Sequence, residues 1–455
     1  MKRIHFIAIG GAIMHQLAIA LQKQGYRISG SDDEINDPAR SNLADAGLLP
    51  SYYGWNIDII DNSIDAVVLG MHARADNPEL IETLKHNIPV FSFPEYVYEV
   101  SKAKTRVVIA GSHGKTTITS MVMHILKNKD IDFDYLVGAR VPGFDQSVRL
   151  SDAPLIILEG DEYPASVIEK RPKIFFYHPH ITALSGIAWD HINVFPTYEN
   201  YFSQFVQYVS NLEPETKLIY NEEDSEVVRV SKYSTETVVK TPYSTPPFQY
   251  RNGKPVISFE NNKFELSVFG RHNVSNAEAA VTVCESLGTS RADGYAALAD
   301  FTGAAKRLEK IKEEGNLLVY RDFAHAPSKL KATLNAVREA YPDHYLIAVF
   351  ELHTFSSLNE QFLSEYSGTM DQADKAIVFY SLHALEMKNL PDLKPESLVV
   401  NFSRNDLITV SDKVALYNIV SELLVNCSKP VFLLLMSSGT FEGIDWNSVS
   451  SQINN

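Results

Sequence analysis

Short apolar runs alternate with helix-spaced apolar residues along the first hundred positions of the chain. The run Ile4–Ile9 predicts a buried strand, and Ile13, Leu17 and Leu21 share one face of the helix expected after it. Further strands are predicted at Tyr26–Ser29, Ala66–Leu69 and Val90-Phe91. This alternation is typical of a doubly wound α/β fold with a parallel sheet.

The alternation of strands and helices begins twice more. A second α/β unit starts with the apolar run Val107–Ala110, and the third has predicted strands at Leu317–Tyr320, Tyr345–Phe350, Ala376–Phe379 and Val431–Leu435. Between these units, Thr241–Gly253 predicts a surface loop or hairpin and Asn276–Leu287 predicts a helix. A length of 455 residues suggests about three domains. We therefore predict a three-domain α/β protein, with a Rossmann-like domain at 1–103, a phosphate-loop ATPase-like domain at 104–304 and a second Rossmann-like domain at 305–455.

Phosphate-binding chemistry is concentrated where the second unit begins. After its first strand the chain reads Gly111-Ser112-His113-Gly114-Lys115-Thr116-Thr117, and apolar residues then resume at helical spacing. Backbone N–H groups of such a loop and the following helix N-terminus attract phosphate. We predict that these seven residues bind ATP, with Lys115 at the β- and γ-phosphates and the Thr116 hydroxyl on Mg²⁺. The loop is shorter than the common Walker motif because position 109 is Ile, and the alternative is an ordinary strand–turn–helix.

Acidic and imidazole groups follow two later apolar runs. Leu155–Leu158 is followed by Glu159, and Ile181–Ile187 is followed shortly by Asp190-His191. Polar groups at the ends of strands beside a phosphate loop are suitable ligands for a divalent cation. We predict a site for Mg²⁺, or for Mn²⁺ because of the histidine, formed by Thr116, Glu159 and His191. Exposed loops without metal are the alternative for each segment taken singly.

The turn after the first strand is less informative. Gly10-Gly11 lies where a dinucleotide fingerprint would fall, but G-x-G-x-x-G is incomplete because Ala8 and Ile13 occupy the outer glycine positions. The glycines fit a ligand-binding turn and a tight packing turn equally well. Asp32, at the end of the second strand, would either meet a ribose or base or cap the next helix.

Composition narrows the class of protein. The net charge of −15 argues against general binding to nucleic acid or to an anionic membrane. Cys284 and Cys427 are the only cysteines and are typical of a reducing compartment. There is no apolar run near the ~20 residues of a membrane span and no signal peptide, so we expect a cytoplasmic protein. The sequence predicts no oligomeric state.

Taken in order, these motifs resemble the Mur ligase family, the ATP-dependent amide-forming ligases of peptidoglycan synthesis. The family's G-T-x-G-K-T-T loop matches Gly111–Thr117, its acidic strand end matches Glu159, and its D-H pair matches Asp190-His191. Three further family motifs are present. The first matches His272, Asn273 and Asn276, the second matches Arg307-Leu308-Glu309, which follows Lys306, and the third, a ribose-binding acid, matches Asp322.

The resemblance implies a role for each domain and for several residues. The first domain would bind a UDP-sugar through Gly10, Gly11 and Asp32. Asn276, Arg307 and Asp322 would complete the ATP site, and the residues implied in catalysis are Lys115, Glu159, His191 and Arg307. The third domain would receive the incoming amino acid or peptide. The implied reaction activates the carboxylate of UDP-N-acetylmuramate as an acyl phosphate, which the amine of a murein peptide then attacks.

Two branches of the family use this acceptor, and they differ in the nucleophile. One adds L-alanine, and the other recycles the tripeptide L-Ala-γ-D-Glu-meso-diaminopimelate. The chain is more similar to the recycling branch at Asp161-Glu162-Tyr163, Lys170-Arg171 and Asp322–His325. It departs from the family pattern at Ala326 and at His353, where relatives carry histidine and arginine. We therefore expect the tripeptide as substrate, bound in part by His325 and His353, with L-alanine ligation as the alternative.

Two functions of other classes are also compatible with parts of the sequence. One is a nucleotide-dependent oxidoreductase that uses the first βαβ unit, which the incomplete glycine fingerprint and the Lys115-Thr116 loop argue against. The other is an inactive sensor of UDP-muramyl compounds. The presence of Lys115, Glu159 and His191 argues against a sensor.

Overall fold

The computed structural model describes residues 2–71, 73–305 and 307–450. The strands are β1 Arg3–Ile7, β2 Arg27–Ser31, β3 Ala66–Leu69, β4 Val90–Ser92, β5 Thr105–Ala110, β6 Asp134–Leu136, β7 Val148–Arg149, β8 Leu155–Glu159, β9 Ile181–Leu184, β10 Lys217–Asn221, β11 Val239–Tyr243, β12 Phe248–Arg251, β13 Lys254–Phe259, β14 Asn262–Glu265, β15 Glu309–Glu314, β16 Leu317–Asp322, β17 Tyr345–Leu352, β18 Lys375–Tyr380, β19 Ile408–Val410 and β20 Val431–Met436. The α-helices are α1 Met14–Lys23, α2 Ala39–Asp45, α3 Pro78–Lys85, α4 Phe93–Ser101, α5 Lys115–Asn128, α6 Tyr198–Ser210, α7 Ser225–Ser231, α8 Arg271–Ser286, α9 Arg291–Ala297, α10 Pro327–Ala340, α11 Phe355–Leu358, α12 Leu382–Met387, α13 Pro395–Asn401 and α14 Lys413–Val425.

The first sheet is parallel and has the strand order β2-β1-β3-β4. The predicted strand from Ile4 ends at Ile7 rather than at Ile9. The reason is local: Ala8 adopts φ of 64°, and the N–H groups of Ala8 and Ile9 both donate to Ser31 O, at 2.9 and 3.1 Å. The chain therefore turns away from the sheet just before Gly10-Gly11.

The second sheet places the phosphate loop at its centre. Its order is β11-β10-β9-β5-β8-β6-β7, and only β7 runs antiparallel to its neighbour. The strand β5 lies between β9 and β8, so the loop that follows it emerges between the carboxyl ends of its two neighbours. Ligands of open α/β sheets bind at this edge.

A three-stranded antiparallel sheet, β12-β13-β14, and a six-stranded sheet complete the fold. The six-stranded order is β15-β16-β20-β17-β18-β19, with β15 antiparallel and the others parallel. In β17, Ile347 and Val349 belong to one apolar core, while Ala348 and Phe350 belong to another. Since successive side chains of a strand point to opposite faces, this sheet is buried on both sides.

The helix predicted at Asn276–Leu287 begins five residues earlier, at Arg271, so the predicted start was wrong. Gly270 has φ of 97°, and its carbonyl accepts the N–H groups of Asn273 and Val274 at 2.9 and 3.1 Å. The left-handed glycine thus lets the chain enter the helix directly, which places Asn273 and Asn276 inside α8 instead of at its cap.

The chain divides into two compact units that are not continuous in sequence. One unit comprises Met1–Ile187, Ser203–Ser244 and Ala279–Gly294, and the other comprises Ala188–Phe202, Thr245–Glu278 and Tyr295–Asn455. The predicted α/β class is confirmed, while the boundaries at 103 and 304 stay predictions. Across the described ranges, no helix has the length and apolar character required to cross a bilayer.

Candidate active site

The phosphate loop is a tight backbone turn between β5 and α5. Gly111 and Gly114 have φ of 128° and 79°, which favours glycine at both positions. A Cβ on Gly111 would collide with Ser185 Oγ, and one on Gly186 would collide with the His113 ring. The loop therefore packs closely against the residues after β9 and presents its backbone at the start of α5, where anions bind.

Lys115 is the first residue of α5 and belongs to a largely buried ion pair. Its Nζ donates to Gly111 O and to Glu162 Oε2, both at 2.6 Å. The side chains of Lys115 and Glu162 are 15% and 1% exposed. Burial would lower the pKa of Lys115, but the carboxylates of Glu162, Asp161 and Glu159 raise it above its ordinary value. Lys115 is accordingly a cation at neutral pH.

Glu159 joins the end of β8 to the phosphate loop. Thr116 Oγ1 donates to Glu159 Oε1 at 2.6 Å, and the Gly138 N–H donates to Glu159 Oε2 at 2.7 Å. A hydroxyl and a carboxylate this close form a hard oxygen donor pair, which fits Mg²⁺. In the described part of the chain no group of three or more His, Cys, Asp or Glu side chains forms a metal cage.

In the second unit, Asp190 is the centre of a cluster of cationic and imidazole groups. Its Oδ1 accepts the N–H of His191 at 2.8 Å, and its Oδ2 accepts a hydrogen bond from Lys329 Nζ at 3.1 Å. His325 Nε2 lies 3.7 Å from the same Oδ2. Although burial raises the pKa of Asp190, Lys329, His191 and His325 together lower it well below its usual range. Asp190 is therefore a buried carboxylate at neutral pH.

His325 is held in one tautomer by its surroundings. Its Nδ1 lies 2.8 Å from Phe323 O, which fixes the ring proton on Nδ1 and leaves Nε2 as an acceptor facing Lys329. Burial, followed by the nearby cation of Lys329, lowers the pKa of His325 to about 3. The imidazole is therefore neutral at physiological pH.

The acid at the end of β16 is engaged by its own unit. Asp322 Oδ2 accepts the N–H of Leu308 at 2.7 Å, and Oδ1 accepts from Ala324 N–H and Thr333 Oγ1 at 2.8 and 3.1 Å. Leu308 has φ of 45°, so this carboxylate supports a left-handed turn next to Arg307. The Arg307 guanidinium lies 4.8 Å from the centroid of the Phe323 ring. Lys306 lies outside the described residues.

The His272–Asn276 motif occupies the first turns of α8. Asn273 Nδ2 donates to Phe269 O at 2.8 Å, and Asn276 Nδ2 donates to Asn273 Oδ1 at 3.4 Å. Burial lowers the pKa of His272, which Asp322 partly offsets. The two asparagines thus orient each other at the helix start.

The turn after β1 is also close-packed. The Gly10 N–H donates to Asp32 Oδ2 at 2.7 Å, and a Cβ on Gly10 would lie 2.9 Å from that oxygen. At Gly11, a Cβ would lie 3.2 Å from Met14 Cγ. Burial raises the pKa of Asp32, and the hydrogen bond from Gly10 partly offsets it. Asp32 therefore orders the glycine turn of the first sheet.

His353 follows β17 and is half-exposed. Its Nδ1 lies 3.9 Å from Glu351 Oε1, and a Cβ on Gly439 would lie 2.7 Å from the same nitrogen. Burial, which outweighs the attraction of Glu351, lowers the pKa of His353. His353 is the more exposed of the two predicted peptide-binding histidines, since 43% of its side chain is accessible and only 11% of that of His325.

The structure brings some of the predicted site residues together within each unit. Lys115, Thr116 and Glu159 converge at the phosphate loop of one unit, and His191 and His325 converge on Asp190 in the other. Sequence reasoning did not assign roles to Glu162, the partner of Lys115, or to Lys329, the partner of Asp190. The one available signal for Lys329 was its position four residues after His325, at the start of a helix.

A phosphate loop on a central parallel strand, with a lysine, a threonine and a carboxylate at its end, defines a phosphate-loop nucleotide-binding α/β protein. The chain belongs to the Mur ligase family. The matching family models are described as the Mur ligase family catalytic domain, at residues 3–105, the Mur ligase middle domain, at 109–284, and the Mur ligase glutamate ligase domain, at 306–439. The protein is therefore an ATP-dependent, ADP-forming amide ligase of peptidoglycan synthesis.

Individual relatives agree with this assignment. The UDP-N-acetylmuramate–L-alanine ligase of Clostridium acetobutylicum is 33% identical and is matched over 81% of each chain. The ligase of the same name from Aquifex aeolicus is 28% identical over 93% of this chain and 92% of its own. Among solved structures, the UDP-N-acetylmuramate-alanine ligase of Thermotoga maritima gives a TM-score of 0.70 at 21% identity, over 97% of both chains. The murein peptide ligase of Psychrobacter arcticus gives 0.66 at 22% identity, over 99% of this chain and 98% of its own. Both structures support the three-domain fold.

Proposed function

We propose that the protein joins L-alanine to the muramyl carboxylate of UDP-N-acetylmuramate. The observation that carries the proposal is the sequence relationship to L-alanine ligases, which reaches 33% identity over 81% of both chains for one relative. This reverses the preference for the tripeptide that the sequence motifs favoured. The likeness to solved structures does not separate the two nucleophiles, because L-alanine ligases and murein peptide ligases share the fold.

The residues of the phosphate loop would carry the activation step. The muramyl carboxylate attacks the γ-phosphorus of ATP, its O–P bond forms as the bond to ADP breaks, and an acyl phosphate results. Lys115 is a buried cation on the phosphate loop, placed to neutralise the charge that shifts onto the β-phosphate. The amine of the nucleophile then attacks the acyl carbon, phosphate leaves, and the amine proton passes to a base.

We propose that Thr116, Glu159 and His191 are Mg²⁺ ligands. The 2.6 Å contact between the Thr116 hydroxyl and the Glu159 carboxylate supports the first two assignments. The family resemblance is the basis for His191 and for Asn276, Arg307 and Asp322 at ATP. When bound, Mg²⁺ supplies charge neutralisation on the phosphates, and Mn²⁺ would serve as well because one ligand is an imidazole.

Gly10, Gly11 and Asp32 are proposed for the UDP-sugar. The hydrogen bond from Gly10 N–H to Asp32 keeps this glycine turn in one conformation. Because a Cβ on Gly10 would crowd both Asp32 and Ile35, the turn brings its backbone unusually close to neighbouring side chains. A fixed turn after the first strand is a suitable platform for a nucleotide diphosphate.

The tripeptide remains the second candidate, because residues from Asp161 to Arg171 resemble the recycling branch. In the structure these residues form ion pairs within the first unit. Glu162 pairs with Lys115, Asp161 accepts from Lys173 Nζ at 2.6 Å, and Arg171 pairs with Glu169 at 2.7 Å. Their contacts therefore give no direct reason to associate them with the nucleophile. His325 and His353, in the C-terminal part of the chain, are the proposed contacts of the incoming amine substrate.

A direct comparison of nucleophiles tests the proposal. We expect kcat/KM for L-alanine to exceed that for L-Ala-γ-D-Glu-meso-diaminopimelate, because a site for L-alanine supplies one carboxylate partner and leaves the further carboxylates of a tripeptide unpaired. The measurement is phosphate release with UDP-N-acetylmuramate and ATP, confirmed by the mass of the product. A higher kcat/KM for the tripeptide would establish the recycling reaction instead.

A further inference from the structure

We infer that Lys329 is a positioning residue for His191, acting through the buried carboxylate of Asp190. The inference rests on the proposed function in one respect, since it takes His191 to be the metal ligand. All the contacts that support it lie within the second unit: Lys329 donates to Asp190, and Asp190 in turn accepts from the backbone of His191. No contact of Lys329 with a nucleotide or metal is required.

The backbone at His191 needs such support. His191 has φ of 61°, a conformation that residues other than glycine seldom adopt without a specific contact to stabilise it. The His191 carbonyl accepts the N–H groups of Val194 and Phe195 at 2.8 and 2.9 Å, and Asp190 Oδ1 accepts the His191 N–H at 2.8 Å. The same Asp190 oxygen lies 3.6 Å from Nδ1 of the His191 ring. The orientation of the His191 ring therefore depends on where the Asp190 carboxylate is held.

Trp189 and Ile192 make contacts that hold the chain on both sides of Asp190, whereas the position of the Asp190 carboxylate depends on Lys329. The Trp189 ring lies 5.5 Å from that of Phe362, and the Ile192 N–H donates to Ser356 Oγ at 3.3 Å. Asp190 itself is only 6% exposed, so its negative charge needs a nearby cation. Lys329 Nζ lies 3.1 Å from Asp190 Oδ2, closer than His325 Nε2 at 3.7 Å, so the ammonium group of Lys329 is placed to hold this oxygen.

The side chain of Lys329 is suited to this role by its place at the start of α10. It lies in the first turn of the helix, its side chain is 17% exposed, and Nζ reaches Asp190 Oδ2 at 3.1 Å. Lys331, two residues later on the same helix, is exposed. A charge on the solvent side of α10 can therefore be removed without touching the Asp190 cluster.

The test uses Lys329→Met, which removes the charge but keeps an unbranched side chain of similar length. We expect Mn²⁺ to bind about tenfold to a hundredfold more weakly in the presence of a non-hydrolysable ATP analogue, as found when groups that orient a metal ligand are removed. Electron paramagnetic resonance of free Mn²⁺ measures this affinity without turnover. The Mg²⁺ concentration for half-maximal activity should rise by a similar factor, and Lys329→Arg should recover most of the loss.

Lys331→Met is the matched control and should change Mn²⁺ affinity by no more than about twofold, as for other surface substitutions. The inference is overturned if Lys329→Met binds Mn²⁺ as tightly as the unaltered protein, or no more weakly than the control. Should Lys329→Met fail to fold, Asp190→Asn breaks the same ion pair and must weaken Mn²⁺ binding in the same way. His191→Ala distinguishes the metal-ligand role of His191 from the positioning role of Lys329. If His191→Ala leaves Mn²⁺ affinity unchanged, His191 is not a metal ligand. If His191→Ala weakens Mn²⁺ binding but Lys329→Met does not, only the positioning role is overturned.

Discussion

Lys115→Ala is expected to lower the rate of ligation about 100-fold or more, as losses of a single charge-stabilising donor do in other enzymes. Lys115 is held at the start of α5 by Gly111 O and Glu162, so its ammonium group is already in place before the phosphoryl group moves. Removing it takes away a charge that matters most in the transition state. The measurement is phosphate release at saturating substrates, where the loss should fall on kcat.

The same substitution should also cost stability, because it leaves the Glu162 carboxylate buried without its cation. The cost is expected to be about 3–5 kcal/mol, as for other broken buried pairs. Lys115→Ala combined with Glu162→Gln should recover much of the stability, measured by thermal unfolding, but none of the activity. Lys127→Ala, on the exposed side of the same helix, is the control: it removes a hydrogen bond to Gly143 O, and the protein should retain its activity. Turnover close to normal in the folded Lys115→Ala protein would refute the ATP site.

Glu159→Gln has the second largest expected effect. The substitution keeps the size of the side chain but removes the charge proposed to bind Mg²⁺. The amide oxygen can accept the Gly138 N–H, and the amide NH₂ can donate to the Thr116 hydroxyl, which reverses the direction of that hydrogen bond. We expect a loss of about 3 kcal/mol of transition-state stabilisation, which is roughly a hundredfold in rate. The loss should diminish as the Mg²⁺ concentration is raised, because weaker binding can be overcome by mass action.

Asp152→Asn is the matched control for Glu159, since it removes an exposed acid three residues before the same strand begins. Its rate and its Mg²⁺ dependence should both be unchanged. A Glu159→Gln protein that is slow at every Mg²⁺ concentration, with an unaltered concentration for half-maximal activity, would show that Glu159 acts without binding the metal.

The buried parallel strands were predicted well from local pattern. β3 was predicted with its observed bounds, Ala66–Leu69, because all four of its residues are apolar and buried. Of the three-stranded sheet, only β12 lies in the stretch Thr241–Gly253 that was predicted as a surface loop or hairpin, and β13 and β14 were not predicted. The strands β12 and β14 contain no buried position and β13 contains Pro255, so all three leave a weak periodic signal.

The residues of the candidate site were likewise predictable where they are close together in the sequence. The phosphate loop and Glu159 were recognisable because their residues are consecutive or directly follow an apolar run. The pairing of Lys115 with Glu162 spans 47 positions, and that of Lys329 with Asp190 spans 139. Pairings of this kind depend on how distant segments fold together, which no local spacing records. The nucleophile was also difficult to predict, because the residues that favoured the tripeptide make contacts that do not identify a nucleophile: Glu162 pairs with Lys115, Arg171 with Glu169, and Asp322 accepts from Leu308.

The second unit is built from separate segments of the chain, and this limits how the protein can be recombined with its relatives. Exchanging residues 305–455 to transfer nucleophile specificity would move only one of the three segments that build this unit. The exchanged segment would be separated from its own Ala188–Phe202. Lys329 would then face whatever residue the other protein carries in place of Asp190, and Phe362 would face the residue that replaces Trp189. A functional hybrid must therefore exchange Ala188–Phe202, Thr245–Glu278 and the C-terminal segment together, which requires several junctions instead of one.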